Sequence, residues 1–471
     1  MSVIKSNAMK MPFLPIVASA ICLGLLVGCA KKKTSSWESI NNRDVVRQLK
    51  SFVAEKEAQA NAATNEAAPG FAPFFAAAER GDWLAVSNAF KELRQHAGQY
   101  EHTGKTDERL RGPKWQAIME IWGAFYYFGA GAEKYSTAYA NNIISSIPPG
   151  SVYFGGTDPG RFLITGMQKS HVNADPFFTL TQNALADGTY LDYVRGLYGN
   201  KIYIPTAADS EKAFHDYVQD ATRREQTHQL KPGENVQTDP ATGRMQVSGQ
   251  VAVMEINGLL AKIIFDQNPN REFYVEESFP LDWMYPHLEP RGLVMKINRQ
   301  PLLELSDAIV QQDRDFWMDR VAPMVGNWLK PDTTVADVAA FADKVYVKKD
   351  LSGFTGDAQF IQNADAQKMF SKERSSIAGL YAWRAQHAAD DAEKQRMNDA
   401  ADFAFRQAWA LCPYSPEAVF RYVNLLTSEK RFSDALQVAE AAAKMPAMKG
   451  RDGQQIRDLV KNLQQMRQRQ K

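Results

Sequence analysis

With 471 residues, the chain exceeds one compact domain, and at roughly 150 residues per domain about two to four are expected. Hydrophobic residues at 45% and charged residues at 23% exclude wholesale disorder, and 55 Lys+Arg against 54 Asp+Glu leave no basic surplus to attract nucleic acid. Three cysteines exclude a disulfide-dense scaffold and a Cys-rich zinc module.

Lys5 and Lys10 precede an apolar run from Ile16 to Val27. That run is too short to span a bilayer comfortably and reads as the h-region of a secretory signal. It ends in Leu26-Val27-Gly28-Cys29, which resembles a bacterial lipobox, cut before the cysteine so that its thiol is lipidated. An uncleaved anchor, or a buried helix that ends in Gly-Cys, is the alternative. Residues 1–28 are therefore expected as a signal peptide and Cys29 as the lipid attachment site, where more than one acyl chain gives stable anchoring. Ala30, not Asp, follows the anchor; by resemblance to the sorting rule of double-membrane bacteria, this implies the periplasmic face of the outer membrane. Lys31-Lys32-Lys33 reads as a solvated spacer or a headgroup contact. Cys22 would leave with the signal, so Cys412 has no disulfide partner in the mature chain.

Residues 29–70 read as tether and flexible spacer, ending in the Ala/Asn/Glu-rich stretch Asn61 to Pro69. A helical region is expected over 71–148. Gly81-Asp82 breaks its first two helices, and Asp82 caps the second. Aromatics at helical spacing from Trp115 to Phe128 mark a buried helix, with a ligand groove as the alternative, and Glu133–Ser146 follows.

From 149 to 300 the pattern changes to short apolar runs between helical ones. Ser151–Gly155, Pro176–Thr181, Lys201–Ile204, Phe273–Glu276 and Gly292–Ile297 read as strands, with a hairpin insertion near 233–249. Strands alternating with helices imply a Rossmann-like, mostly parallel sheet. Ligands in such sheets bind outside the carboxyl ends of the strands. Asp158, Asn183 and Glu277 each follow a strand and form the candidate ligand-binding edge. Caps and turns explain the same residues, with Asp158 as N-cap and Pro159 at the first helical position. The glycines after Phe154 spell neither G-x-G-x-x-G nor a P-loop.

Several blocks in this stretch carry a resemblance. Tyr153-Phe154-Gly155-Gly156-Thr157-Asp158-Pro159-Gly160-Arg161-Phe162, Thr181–Asp187, Val253–Gly258, Phe273–Ser278 and Gly292–Ile297 occur in the order found in the soluble extracytoplasmic region of bacterial protein O-mannosyltransferase-like polytopic glycosyltransferases. The chain resembles that region over roughly residues 115–445. The turn after Phe154 also resembles the acidic turn that opens the soluble domain of oligosaccharyltransferases. The resemblance implies an accessory fold and a setting in glycan or glycoprotein assembly. It does not carry over transferase chemistry, because the family's catalytic acids lie between membrane helices that this sequence lacks.

Helices resume over 301–372 as a connector, including one that Thr334 and Asp337 cap. Residues 373–450 hold two helix pairs. Ala401, Phe405 and Ala408 recur 34 residues later as Ala435, Ala439 and Ala442, the period of tetratricopeptide repeats. Residues 451–471 read as a polar, solvated helical tail. The seven histidines are scattered and no nucleophile elbow is present, so no catalytic residue, metal or cofactor is assigned. The expected class is α/β plus all-α. The expected function is a lipid-anchored envelope binding or scaffold protein, accessory to glycan or glycoprotein assembly and without its own glycosyl-transfer centre, that binds a glycan, a lipid-linked sugar or an envelope protein, with no nucleic-acid partner. An enzyme of envelope glycan metabolism, acting at the Asp158, Asn183 and Glu277 edge, is the alternative.

Overall fold

The computed structural model describes residues 37–470 apart from 64–66, 98–106, 108, 111, 130–132, 169–175, 232, 239–244 and 277–280. The expected signal, 1–28, lies outside them. In chain order the helices and strands run α1 (Arg43–Ala62), α2 (Phe71–Glu79), α3 (Trp83–His96), α4 (Pro113–Gly129), α5 (Glu133–Ser146), β1 (Val152–Gly155), α6 (Asp158–Met167), β2 (Phe178–Thr181), α7 (Gly188–Tyr198), α8 (Ala207–Gln226), β3 (Asn235–Thr238), β4 (Met245–Ser248), α9 (Gln250–Gln267) and β5 (Phe273–Glu276). Then follow β6 (Leu288–Arg291), β7 (Val294–Ile297), α10 (Asp307–Val325), α11 (Val335–Ala342), α12 (Ala358–Ile361), α13 (Ala364–Gln386), α14 (Asp391–Leu411), α15 (Pro416–Ser428), α16 (Phe432–Ala443) and α17 (Gly450–Gln470). The described residues are mostly helical, with a small mixed five-stranded sheet and a separate two-stranded one.

The described residues fall into two units, each discontinuous in sequence, and the 149–300 stretch contributes to both. The first unit comprises Lys56–Met119 and Asn183–Ile264. Its α2–α3 hairpin turns as expected: Asp82 caps α3 by accepting from the Ala85 amide at 3.0 Å. Phe90 stacks on Trp115 with ring centroids 5.6 Å apart. Lys56 is fully buried and donates to the Tyr193 hydroxyl at 2.7 Å. A helix, α1, runs through what reads in the sequence as tether; its residues up to Glu55 belong to the second unit, where Val45, Leu49, Phe52 and Val53 are buried along one stripe. β3 and β4 pair antiparallel within the expected insertion, Asn235 opposite Ser248. The expected strand Lys201–Ile204 is absent: the Lys201 and Ile202 amides turn back to the Tyr198 carbonyl at the end of α7, and buried Ile202 and Ile204 produce a strand-like alternation.

The second unit comprises Trp37–Glu55, Glu120–Gln182 and Phe265–Lys471 and holds a five-stranded sheet of order β2-β1-β5-β7-β6. β1 pairs parallel with β2 and β5, whereas β7 runs antiparallel to both β5 and β6. The sheet is thus mixed, not mostly parallel. Its missing member in the sequence pattern is β6, whose Leu288-Glu289-Pro290-Arg291 contains a proline and lies on the edge, where a lost N–H is tolerated. Gly292, at φ 69°, makes the tight return to β7. β1 is buried at all four positions, as a central strand requires.

The C-terminal helices α13 to α17 pack consecutively, and Ala401, Phe405, Ala408, Ala435, Ala439 and Ala442 are all buried between them. Thr334 and Asp337 form the expected capping box at α11, which continues into a π-helical turn, Asp343–Val347. α13 begins at Ala364, well before its apolar spacing shows. α17 is no freely solvated tail, since Ile456 and Leu463 are buried. Cys412 closes α14, fully buried.

Candidate functional site

The strongest concentration of placed polar groups in the second unit lies at the carboxyl ends of its parallel strands. Glu276 ends β5 directly opposite Gly155 on β1, and it is fully buried. Its Oε2 accepts from the Gly156 amide at 2.7 Å and the Thr157 amide at 2.9 Å, and its Oε1 accepts from the Thr157 hydroxyl. Thr157, not Asp158, is the N-cap of α6: its Oγ1 accepts from the Gly160 amide at 3.0 Å. A Cβ on Gly160 would fall inside the Glu276 carboxylate, so glycine is required there for contact. A strand, a turn with free amides and a helix N-terminus make a ready anion site. In this chain an internal carboxylate already fills it.

Behind Glu276, the Tyr139 hydroxyl lies 3.2 Å from Glu276 Oε1 and 2.7 Å from Glu373 Oε1 of α13. Tyr153 donates to the Gly160 carbonyl at 2.9 Å. Burial pushes both tyrosine hydroxyls far up in pKa, and the charges of Glu276 and Glu373 push them further. Both therefore stay protonated as donors. The cluster ties α5, β1, β5 and α13 to one turn.

The outer side of that turn is accessible. Asp158, at the first position of α6, pairs with Arg161 at 3.1 Å, and both side chains are half-buried. α4 packs against α6 at close range: a Cβ on Gly123 would strike the Phe162 ring, and Ala124 approaches Gly166. This crossing brings Tyr126 and Tyr127, one turn along α4, towards the start of α6. Their rings meet edge to face at 5.1 Å, and Trp122 lies 5.8 Å from Tyr126. Burial raises both hydroxyls, and the charges of Asp158 and Asp365 raise them further. Burial also raises the Asp365 carboxyl above the usual aspartate range, with Lys368 pulling the other way.

Of the sequence-derived residues, Asp158 belongs to this edge. Asn183 sits on the 3-10 helix Gln182–Ala184 immediately after β2. Glu277 and Cys29 lie outside the described residues. Sequence reasoning passed over Glu276, whose strand-end position beside Glu277 gave no sign of its partners, and Tyr126, Tyr127 and Asp365, which join Asp158 only through the helix packing. Among the described residues no helix is long and apolar enough to cross a membrane. Comparison of the chain with protein-family models, with curated proteins and with solved structures found no match.

Proposed function

We propose that this chain is a lipid-anchored binding or scaffold protein of the bacterial cell envelope, accessory to glycan or glycoprotein assembly, and that its sheet edge holds a glycan. The observation that carries the reading is the edge-to-face pair Tyr126–Tyr127, whose hydroxyls feel the charge of Asp158, together with the ion pair Asp158–Arg161 beside a turn whose amides are already occupied by Glu276. A filled anion slot disfavours a bound phosphate. Aromatic rings with a carboxylate and a guanidinium suit the apolar faces and hydroxyls of a sugar.

The finer architecture enters the same reading. The β1–α6–β2 crossover with β5 alongside supports a Rossmann-like origin for the sheet, and the 34-residue recurrence of buried positions, most of them alanine, supports tetratricopeptide-like packing of α14 to α16. The ordered sequence blocks support kinship with the soluble region of protein O-mannosyltransferase-like proteins. Gly28-Cys29 supports a lipid anchor, with the periplasmic face of the outer membrane as its location and envelope proteins as partners of the helical block.

Two measurements test this. Soluble oligosaccharides released from the envelope should bind the chain, and Tyr126→Ala and Asp158→Asn should each weaken binding about tenfold; unchanged affinity in both variants would remove the site. In-cell crosslinking from position 126 should recover envelope glycan or a glycan-assembly enzyme. A second reading, an enzyme at the same edge, is favoured by the burial of Asp365, which raises its carboxyl in the direction a general acid needs. Release of sugar from the bound oligosaccharide, lost in Asp365→Asn, would select that reading.

A further inference from the structure

The helical block of the second unit contains a cavity of about 350 Å³ away from the sheet edge. That size lies at the small end of the ~300–1,000 Å³ range of small-molecule sites. The cavity opens where the π-helical turn after α11, the next loop, the α12–α13 junction and the loops after α14 and α16 converge. Val345, Ile361 and Met445 give it apolar walls, each at most 5% exposed. Its inner polar atoms are committed within the fold. Tyr346 donates to the Ala410 and Leu411 carbonyls at 3.1 and 3.0 Å, and Tyr414 donates to Gln367 Oε1 at 2.6 Å. Gln367 in turn donates to the Phe360 carbonyl at 2.7 Å. A polyol would find few open partners on these walls, whereas an apolar chain would find a mostly apolar lining.

The rim has the opposite character. Nearby Lys344 donates to the Ser352 carbonyl at 2.6 Å, and Lys348 pairs with Asp343 at 2.6 Å. Lys349 lines the cavity and makes no ion pair among the described residues. Its backbone sits in the left-handed region at φ 57°, where a side chain is held against preference. A largely apolar lining that includes one lysine without an ion pair among the described residues matches an apolar body that ends in a single negative charge.

We propose that this cavity binds a free medium-chain carboxylic acid, its chain against Val345, Ile361 and Met445 and its carboxylate at Lys349. The proposal is independent of the glycan reading of the sheet edge. Isothermal titration of the full-length chain with decanoate tests it, with decanol as the uncharged control. Decanoate should bind more tightly than decanol. Lys349→Gly removes the ammonium and at the same time relieves the left-handed backbone, so weaker binding in that variant is not a folding defect. It should lower decanoate affinity about tenfold and make decanoate and decanol equivalent. Ala364→Trp, which fills the cavity from an exposed position, should abolish binding of both. No decanoate binding at millimolar concentration, or equal binding of acid and alcohol by the unaltered chain, would overturn the proposal. Preference for a peptide ending in a free leucine carboxylate over decanoate would likewise overturn it, and would reassign the cavity to a protein C-terminus.

Discussion

Glu276 at the sheet edge and Asp313 in the helical block are both buried carboxylates, yet their partners differ in kind. Glu276 is held by two backbone amides and a hydroxyl from one turn, and Tyr139 approaches from the side. Asp313 on α10 accepts from the Arg374 guanidinium at 2.7 Å and the Tyr381 hydroxyl at 2.8 Å, both on α13. Arg374 in turn donates to Gln407 on α14 at 2.8 Å and lies over the Trp317 ring. The first carboxylate shapes a backbone turn. The second fixes how three helices stand against one another. A charge neutralised by amides cannot be traded for an apolar group, because the amides remain; a charge neutralised by another side chain can.

The largest effect that separates the two should come from Arg374→Met, which strands Asp313 and should cost about 3–5 kcal/mol in denaturant unfolding. Adding Asp313→Leu to that variant should recover most of the loss. Glu276→Leu should find no such rescue partner. Glu276→Gln keeps the shape but weakens acceptance from the Gly156 and Thr157 amides, and should cost about 1–3 kcal/mol. Gly160→Ala should mimic it, since its methyl group displaces the same carboxylate. If the paired leucine–methionine variant stays as unstable as Arg374→Met alone, the contrast between the two sites fails.

A smaller effect separates two aspartates near the start of α13. Burial raises Asp357, but hydrogen bonds from Lys134 and Tyr135 outweigh it, so its carboxyl titrates below the ordinary 3.8. Its contribution to stability is complete above the unfolded value and is lost as pH falls through the native one. Asp365 has the opposite sign: burial raises it, so its ionisation opposes folding once pH exceeds the ordinary 3.8 and fully so above its native value. Asp357→Asn should therefore lower thermal stability at pH 7 and Asp365→Asn should raise it, with both differences vanishing in acid. Thermal scans between pH 2 and 7 give the signs directly. The smallest effect should come from Lys212→Ala, which breaks an exposed pair with Asp216 and should change stability by less than about 0.5 kcal/mol.

Local chemistry was legible in the sequence wherever it was complete within a few residues. Asp82, the Thr334–Asp337 box, the bounds of α5 and the position of β1 all follow from capping, periodicity and turn residues. Features that depend on distant partners were not. β6 carries a proline and an alternation too short to register, and exists because β7 offers it a ladder. Glu276 finds its amides 120 and 119 residues away in sequence, and it stands one residue before Glu277, the neighbour that sequence reasoning preferred. The Tyr126–Tyr127 pair reads as buried helix until the Gly123–Phe162 contact shows where α4 crosses α6.

Cys412 has a consequence of a different sort. Burial pushes its thiol up to about 12, so the folded chain withholds the reactive thiolate at any physiological pH. Reaction with an alkylating reagent then requires the end of α14 to come away from its neighbours. The rate of capture is a stopwatch for opening of the helical block, already present in the natural sequence and needing no introduced label. Arg374→Met should make that stopwatch run faster, and Lys212→Ala should leave its pace unaltered.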